Sequence, residues 1–164
     1  MNDELTFRQD TRATDAQSIR ELTASTGFFT NAEIDVAVEL VEERLQKGES
    51  SGYYFLFAER EGRVVGYTCF GPIPCTLSSY DLYWIAVHHD LRGKGIGKIL
   101  MQKSEDAIGK MGGQRIYIET SSRQQYDSTR RFYLACAYEE AAFFADFYAP
   151  GDGKVVYLKT LSMG

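Results

Sequence analysis

Apolar and polar positions along the chain change period many times, and each change marks a predicted element. The alternation of Leu5 to Arg8 reads as a short strand, after which Thr14 and Asp15 offer N-caps for a helix running to about Ser25. Thr30 or Asn31 caps a second helix, whose stripe Ile34, Val38, Val41 and Leu45 has helical spacing and which Gly48 ends. Two runs rich in aromatic and β-branched residues, Tyr53 to Glu59 and Arg63 to Phe70, flank Glu61-Gly62 and read as a hairpin. Beyond the breaker Gly71-Pro72-Ile73-Pro74, Asp81 to Val87 reads as a strand. It runs through glycines into a helix that turns Ile99, Leu100, Ala107 and Ile108 inward. Gly112 and Gly113 stop that helix, and Arg115 to Thr120 is a strand in the strand, helix, strand order that favours parallel pairing. A helix over about Tyr126 to Cys136 precedes two long strands, about Tyr138 to Phe147 and Lys154 to Leu161, around the Pro150 to Gly153 turn. The order β-α-α-β-β-β-α-β-α-β-β implies an α/β protein with a mixed, mostly antiparallel sheet and one parallel crossover.

Composition narrows the class. With 164 residues, 44% of them hydrophobic and 25% charged, the chain is long enough for one core, so residues 1–164 are expected to form a single domain. The formal net charge of −5 argues against nucleic acid, whose binding comes largely from neutralised phosphates. Cys69, Cys75 and Cys136 show neither CxxC nor metal-ligand spacing, so no metal and no disulfide framework is expected. The polar start MNDELTFRQD and the lack of a long apolar run point to a cytoplasmic protein without a membrane span.

Chemistry concentrates in LYWIAVHHDLRGKGIGKIL, residues 82–100. Gly93, Gly95 and Gly97 permit close backbone approach, so successive N–H groups can converge on an anion at a helix start. Between His88 and Lys98, the bases Arg92, Lys94 and Lys98 outnumber the one acid, Asp90, leaving +2 inside an acidic chain. The P-loop pattern fails because Ile99 follows Lys98, and the dinucleotide fingerprint fails because Lys98 stands where its third glycine belongs. His88 and His89 read as solvated loop residues.

What remains is Arg-x-x-Gly-x-Gly at Arg92, Gly95 and Gly97, between the strand WIAV and an amphipathic helix. It resembles the coenzyme A-binding motif of the GNAT superfamily of N-acyltransferases, and the element order from residue 5 to residue 161 is similar to that fold. The resemblance implies that acetyl-CoA is the acyl donor. Its pyrophosphate would be held by the backbone of Arg92, Gly93, Lys94, Gly95, Ile96, Gly97 and Lys98. Its pantetheine would pair like an added strand with Ile85, Ala86 and Val87. The segment YDSTRRFYLACAY, residues 126–138, resembles a second family signature, in which Tyr133 matches the tyrosine that protonates the departing thiolate. Tyr126 stands where the family often has an asparagine that contacts pantetheine, and is the further candidate for the cofactor. The family's usual glycine before the final aromatic is Ala137 here, so that turn must differ or carry strain.

The amine acceptor arrives as an ammonium ion, so a base is needed, directly or through water. Glu119 resembles the strand-end glutamate of N-terminal alanine acetyltransferases of ribosomal proteins and is the first candidate; Asp81 is the second. Residues 31–49 carry six acids against two bases, a local −4 suited to steering a cationic amine, and Phe28 and Phe29 are candidates to line its pocket. The expected protein is therefore an N-acetyltransferase acting on a small-molecule or peptide amine in a ternary complex. Its aromatic run at residues 141–148 could serve a homodimer. The alternatives are a non-catalytic sensor of coenzyme A or acyl-CoA and an enzyme using a longer acyl-CoA.

Overall fold

A computed structural model describes residues 4–162. Its elements are β1 (Thr6–Arg8), α1 (Asp15–Ser25), α2 (Asn31–Lys47), β2 (Tyr54–Arg60), β3 (Arg63–Pro72), β4 (Ser79–Val87), α3 (Ile96–Lys110), β5 (Arg115–Ser121), α4 (Asp127–Ala135), β6 (Glu139–Ala149) and β7 (Asp152–Thr160). The seven strands form one sheet in the order β1-β2-β3-β4-β5-β7-β6. It is mostly antiparallel, and β4–β5 is its parallel pair. The chain divides into two compact units. One takes the chain up to Gly71 with Trp84–Asp106, the other Pro72–Tyr83 with the chain from Ala107 onward.

In the first unit, Ile19 and Leu22 of α1 and Val38 and Val41 of α2 bury against Phe55, Phe57 and Tyr67 of the β2–β3 hairpin. Glu61 and Gly62 both have positive φ, 53° and 76°, the backbone of a type I′ turn joining Arg60 to Arg63. Of the two cap candidates, Thr30 is the one that caps α2, and it does so reciprocally with Glu33. Asp15 does something other than cap α1: it is fully buried and takes two bonds from Arg8, at 2.6 and 2.8 Å, while Arg8 Nε reaches Glu59 at 2.6 Å. Sequence spacing cannot distinguish a capping aspartate from one that ties β1, α1 and β2 together.

Helix α3 packs closely on β3. A Cβ on Gly66 would stand 2.9 Å from Leu100 Cδ1 and 3.3 Å from the Ala86 carbonyl, and the buried Thr68 and Ser104 hydroxyls share a 2.6 Å hydrogen bond. Ile96, Leu100, Met101 and Ile108 are buried, whereas Ile99 is 39% exposed, a correction to its inward assignment. One residue is a rotation of about 100° on a helix, enough to carry Ile99 off the face that Leu100 occupies. Leu45 likewise lies past the last buried turn of α2 and is exposed.

In the second unit, β4 begins at Ser79 rather than Asp81, because Ser79, Tyr80 and Asp81 pair with Arg115, Ile116 and Tyr117. That ladder stops after three pairs. β5 then pairs with β7 from Arg115↔Thr160 to Ser121↔Lys154. α4 closes with a complete Schellman motif: Ala137 N–H donates to the Leu134 carbonyl at 3.0 Å, and Tyr138 N–H to the Tyr133 carbonyl at 3.1 Å. Ala137 itself sits at φ 68°, so the glycine-type turn is retained with a side chain that disfavours it. Left-handed backbone costs a non-glycine residue about 1–2 kcal/mol, and part of that is offset by the extra unfolded-state freedom of glycine. Ala137→Gly is therefore expected to stabilise the protein by about 0.5–1 kcal/mol and raise the melting temperature by about 1–4 °C in a thermal denaturation scan. A lower melting temperature would contradict the strain assigned to this turn.

Candidate active site

The glycine-rich segment lies in the first unit and is shaped by its torsions. After β4, His88 N–H donates to the Val65 carbonyl at 2.8 Å and the His88 ring accepts from Asp90 N–H at 3.2 Å, so this histidine organises the loop start. His89 is exposed and its N–H donates to Ser25 Oγ at 3.3 Å. Gly93 and Gly95 have φ of 75° and 80°, with nothing within 4 Å of where a Cβ would point. These torsions turn the loop sharply into α3, whose first N–H groups have no intrahelical acceptor. Arg92, Lys94 and Lys98 are exposed around it, while Ile96 is buried and anchors the helix. Arg92 is also positioned by Phe28, its guanidinium 4.4 Å from the ring centroid, and Phe29 packs edge-on against Trp84 at 4.8 Å. An open, left-handed, basic turn at a helix start fits the phosphates of coenzyme A. Of the strand candidates just upstream, Ala86 is buried and Ile85 and Val87 are half-buried.

The titratable candidates belong to the second unit. Register places Asp81 beside Tyr117, and Glu119 and Ser121 follow on the same face of β5, since alternate residues share a side. Lys154, opposite Ser121, reaches back to Glu119 with Nζ 3.0 Å from Oε1. Asp81 is half-buried and its carboxyl is pushed up to about 6, first by burial and then by the Glu119 charge, with Lys154 opposing. Two carboxylates and an ammonium thus act on one another, and Asp81 is the member tuned close to neutrality.

Tyr133 occupies the other face. Its ring lies 5.5 Å from Tyr157 and 6.4 Å from Tyr138, and Tyr157 pairs with Ile118, whose side chain points away from that of Glu119. Burial holds its phenol well above the ordinary tyrosine range, so it stays protonated. Tyr126 precedes α4 directly, with the Arg123 guanidinium 5.6 Å from its ring; Arg123 also pairs with Asp152 at 3.2 Å. Asp152 in turn accepts from Ser121 Oγ. Sequence reasoning missed Lys154, Arg123 and Asp152: the β5–β7 register brings Lys154 to the face of Glu119 and Ser121, and Asp152 joins them by accepting from Ser121 and pairing with Arg123. Among the described residues, no group of three or more His, Cys, Asp and Glu could hold a metal, and no helix is long and apolar enough to cross a membrane.

Three comparisons with known proteins bear on the family and the fold. The Acetyltransferase (GNAT) family profile matches residues 16–138. The uncharacterized N-acetyltransferase YjgM of Escherichia coli K12 is 31% identical over 110 residues, a match spanning 65% of each chain. A protein of Desulfovibrio desulfuricans assigned to the GNAT family of acetyltransferases is 39% identical, with a TM-score of 0.95 over 97% of this chain and 100% of that one. An aminoglycoside 6′-N-acetyltransferase complexed with coenzyme A shares the fold at 15% identity, with a TM-score of 0.76 over 98% of this chain and 99% of that one. With the family profile covering most of its length, and a GNAT structure 39% identical to it along nearly the whole chain, this chain belongs to the GNAT family of acetyltransferases.

Proposed function

We propose that the protein transfers an acetyl group from acetyl-CoA to a primary amine by direct attack, with Asp81 as the base and Tyr133 as the hydrogen-bond donor to the leaving sulfur. Asp81 carries the reading: it is half-buried, on the sheet face of the Glu119–Lys154 pair, and pushed up to about 6. A base that ionises near neutrality is deprotonated at working pH and still takes up a proton effectively. Glu119, the first choice from sequence, is already committed to Lys154, and its charge helps to raise Asp81.

Acetyl-CoA supplies the activated thioester. The loop from Arg92 to Lys98 binds its phosphates, a backbone N–H of Ile85 to Val87 polarises the acyl carbonyl, and Tyr126 is a candidate contact for the pantetheine arm. Asp81 accepts a proton from the ammonium, directly or through water. The nitrogen lone pair then forms the C–N bond as the C–S bond breaks. The thiolate leaves while hydrogen-bonded to the Tyr133 phenol, which keeps its proton, and it is neutralised by the second proton released from nitrogen.

The raised pKa of Tyr133 makes full proton transfer to a thiolate, ordinarily near 8.5, uphill, so the phenol acts mainly by hydrogen-bonding the developing charge. A hydrogen bond to a charged group contributes about 1.5–3 kcal/mol, or on the order of tenfold to a hundredfold in rate. Tyr133→Phe is expected to lower kcat by that amount in a thiol-release assay while acetyl-CoA affinity in calorimetry holds. Unchanged turnover would remove Tyr133 from the reaction.

A further inference from the structure

The face that carries Asp81 and Glu119 continues into aromatic rings. Register sets Phe144 opposite Lys154, and the β6 ladder then breaks between Phe144 and Ala149, with Asp146 at φ 57° and its carboxylate accepting from Gly151 N–H at 2.8 Å. The irregularity turns Phe147 onto the same cation. Lys154 Nζ lies 4.4 Å from the Phe147 centroid and 5.8 Å from that of Phe144 while holding Glu119 at 3.0 Å. Tyr148 stands edge-on to Phe147 at 5.0 Å, and the charges of Glu119 and Asp152 act on its hydroxyl. One ammonium therefore joins the carboxylate pair to three rings that are each about half exposed.

An aromatic cluster this exposed implies something apolar that covers it. The local charge says what is attached to that apolar group. Asp81, Glu119 and Asp152 against Lys154 and Arg123 sum to a formal −1, and Lys154 and Arg123 already neutralise Glu119 and Asp152. Asp81 is left to receive one cation, whereas a polycation would meet the ammonium of Lys154 at close range. Resting on the acetyltransferase reading above, we infer that the acceptor is a primary monoamine on an apolar body, aromatic or branched aliphatic, and that Phe147 and Phe144 form the wall on which that body lies. The apolar wall also desolvates the ammonium, which lowers its pKa and eases proton loss to the nearby carboxylate.

Thiol release from acetyl-CoA tests this with 2-phenylethylamine, ethylamine, spermidine and kanamycin as acceptors. The expected kcat/KM for 2-phenylethylamine is at least about tenfold above those for spermidine and kanamycin, the discrimination that a buried apolar contact supplies. Phe147→Ala should raise its KM about tenfold with kcat and the ethylamine kinetics within about twofold, and Phe147→Tyr, which retains the ring, should restore the wild-type KM. Since the ring is more than half exposed, Phe147→Ala should melt within about 2 °C of the wild type. A preference for spermidine or kanamycin, or an unmoved KM in Phe147→Ala, overturns the inference and leaves the acetyltransferase reading standing. A Phe147→Ala chain that changes from dimer to monomer in light scattering with its KM unmoved assigns the rings to a second copy and also overturns it. Acetyl-CoA binding without thiol release to any amine overturns the acetyltransferase reading itself, and the inference with it.

Discussion

Gly95→Glu is expected to weaken acetyl-CoA binding by more than about 100-fold in titration calorimetry while the protein stays folded. At φ 80° a glutamate costs about 1–2 kcal/mol, yet no neighbouring atom lies within 4 Å of its Cβ, so the strain is confined to the backbone. The new carboxylate also stands just before the first turn of α3, where a negative charge interacts favourably with the helix dipole and offsets part of that cost. The same placement opposes the ligand, because the carboxylate occupies the space and the positive potential that the phosphates require. Loss of more than 100-fold corresponds to about 2.7 kcal/mol, well within what exclusion of a charged group from its site can cost. Gly95→Ala carries the backbone strain without the charge and separates the two effects; its affinity should fall far less. A Gly95→Glu protein that binds acetyl-CoA within threefold of the wild type would remove this loop as the phosphate site.

The loop was legible because its chemistry is local. Glycines, bases and the strand-to-helix change all fall within residues 82–100, and the left-handed torsions of Gly93 and Gly95 are what such residues permit. The parallel crossover followed from the strand, helix, strand order in the same way. Register was less legible: the strand read from Asp81 begins two residues earlier, because Ser79 and Tyr80 find Arg115 and Ile116. The site on β5 and β7 was the least legible. Glu119 and Lys154 are separated by 34 residues, and only the antiparallel register of β5 and β7 brings them together. Their pairing changed the order of the base candidates, since Glu119 is held by the Lys154 ammonium while burial raises Asp81 toward neutrality. Ala137 shows the opposite case. A departure from the family pattern was visible as a single letter, and the turn kept the conformation that the missing glycine would have adopted.

Asp81→Asn should cut kcat/KM at pH 7.5 by a factor on the order of 10² to 10⁴, the usual contribution of a positioned general base. The wild-type profile of kcat/KM should show an acidic limb centred near 6, where Asp81 loses its proton. Asparagine cannot titrate, so that limb disappears in the variant. Stability moves the other way. The ordinary carboxyl value of 3.8 is raised to about 6 by folding, so the native state binds more protons than the unfolded chain between these values. Native stability therefore falls as pH rises through that window, and the loss is complete above about 6. Asp81→Asn should accordingly melt higher than the wild type above pH 6 and show no such advantage below about 4. Glu119→Gln provides the discriminating control: it removes the charge that raises Asp81 and releases the Lys154 ammonium, and both changes favour the ionised carboxylate. The acidic limb should then persist and shift below 6. If Glu119→Gln abolishes the limb and Asp81→Asn retains activity within threefold, Glu119 is the base and the assignment made from the geometry is reversed.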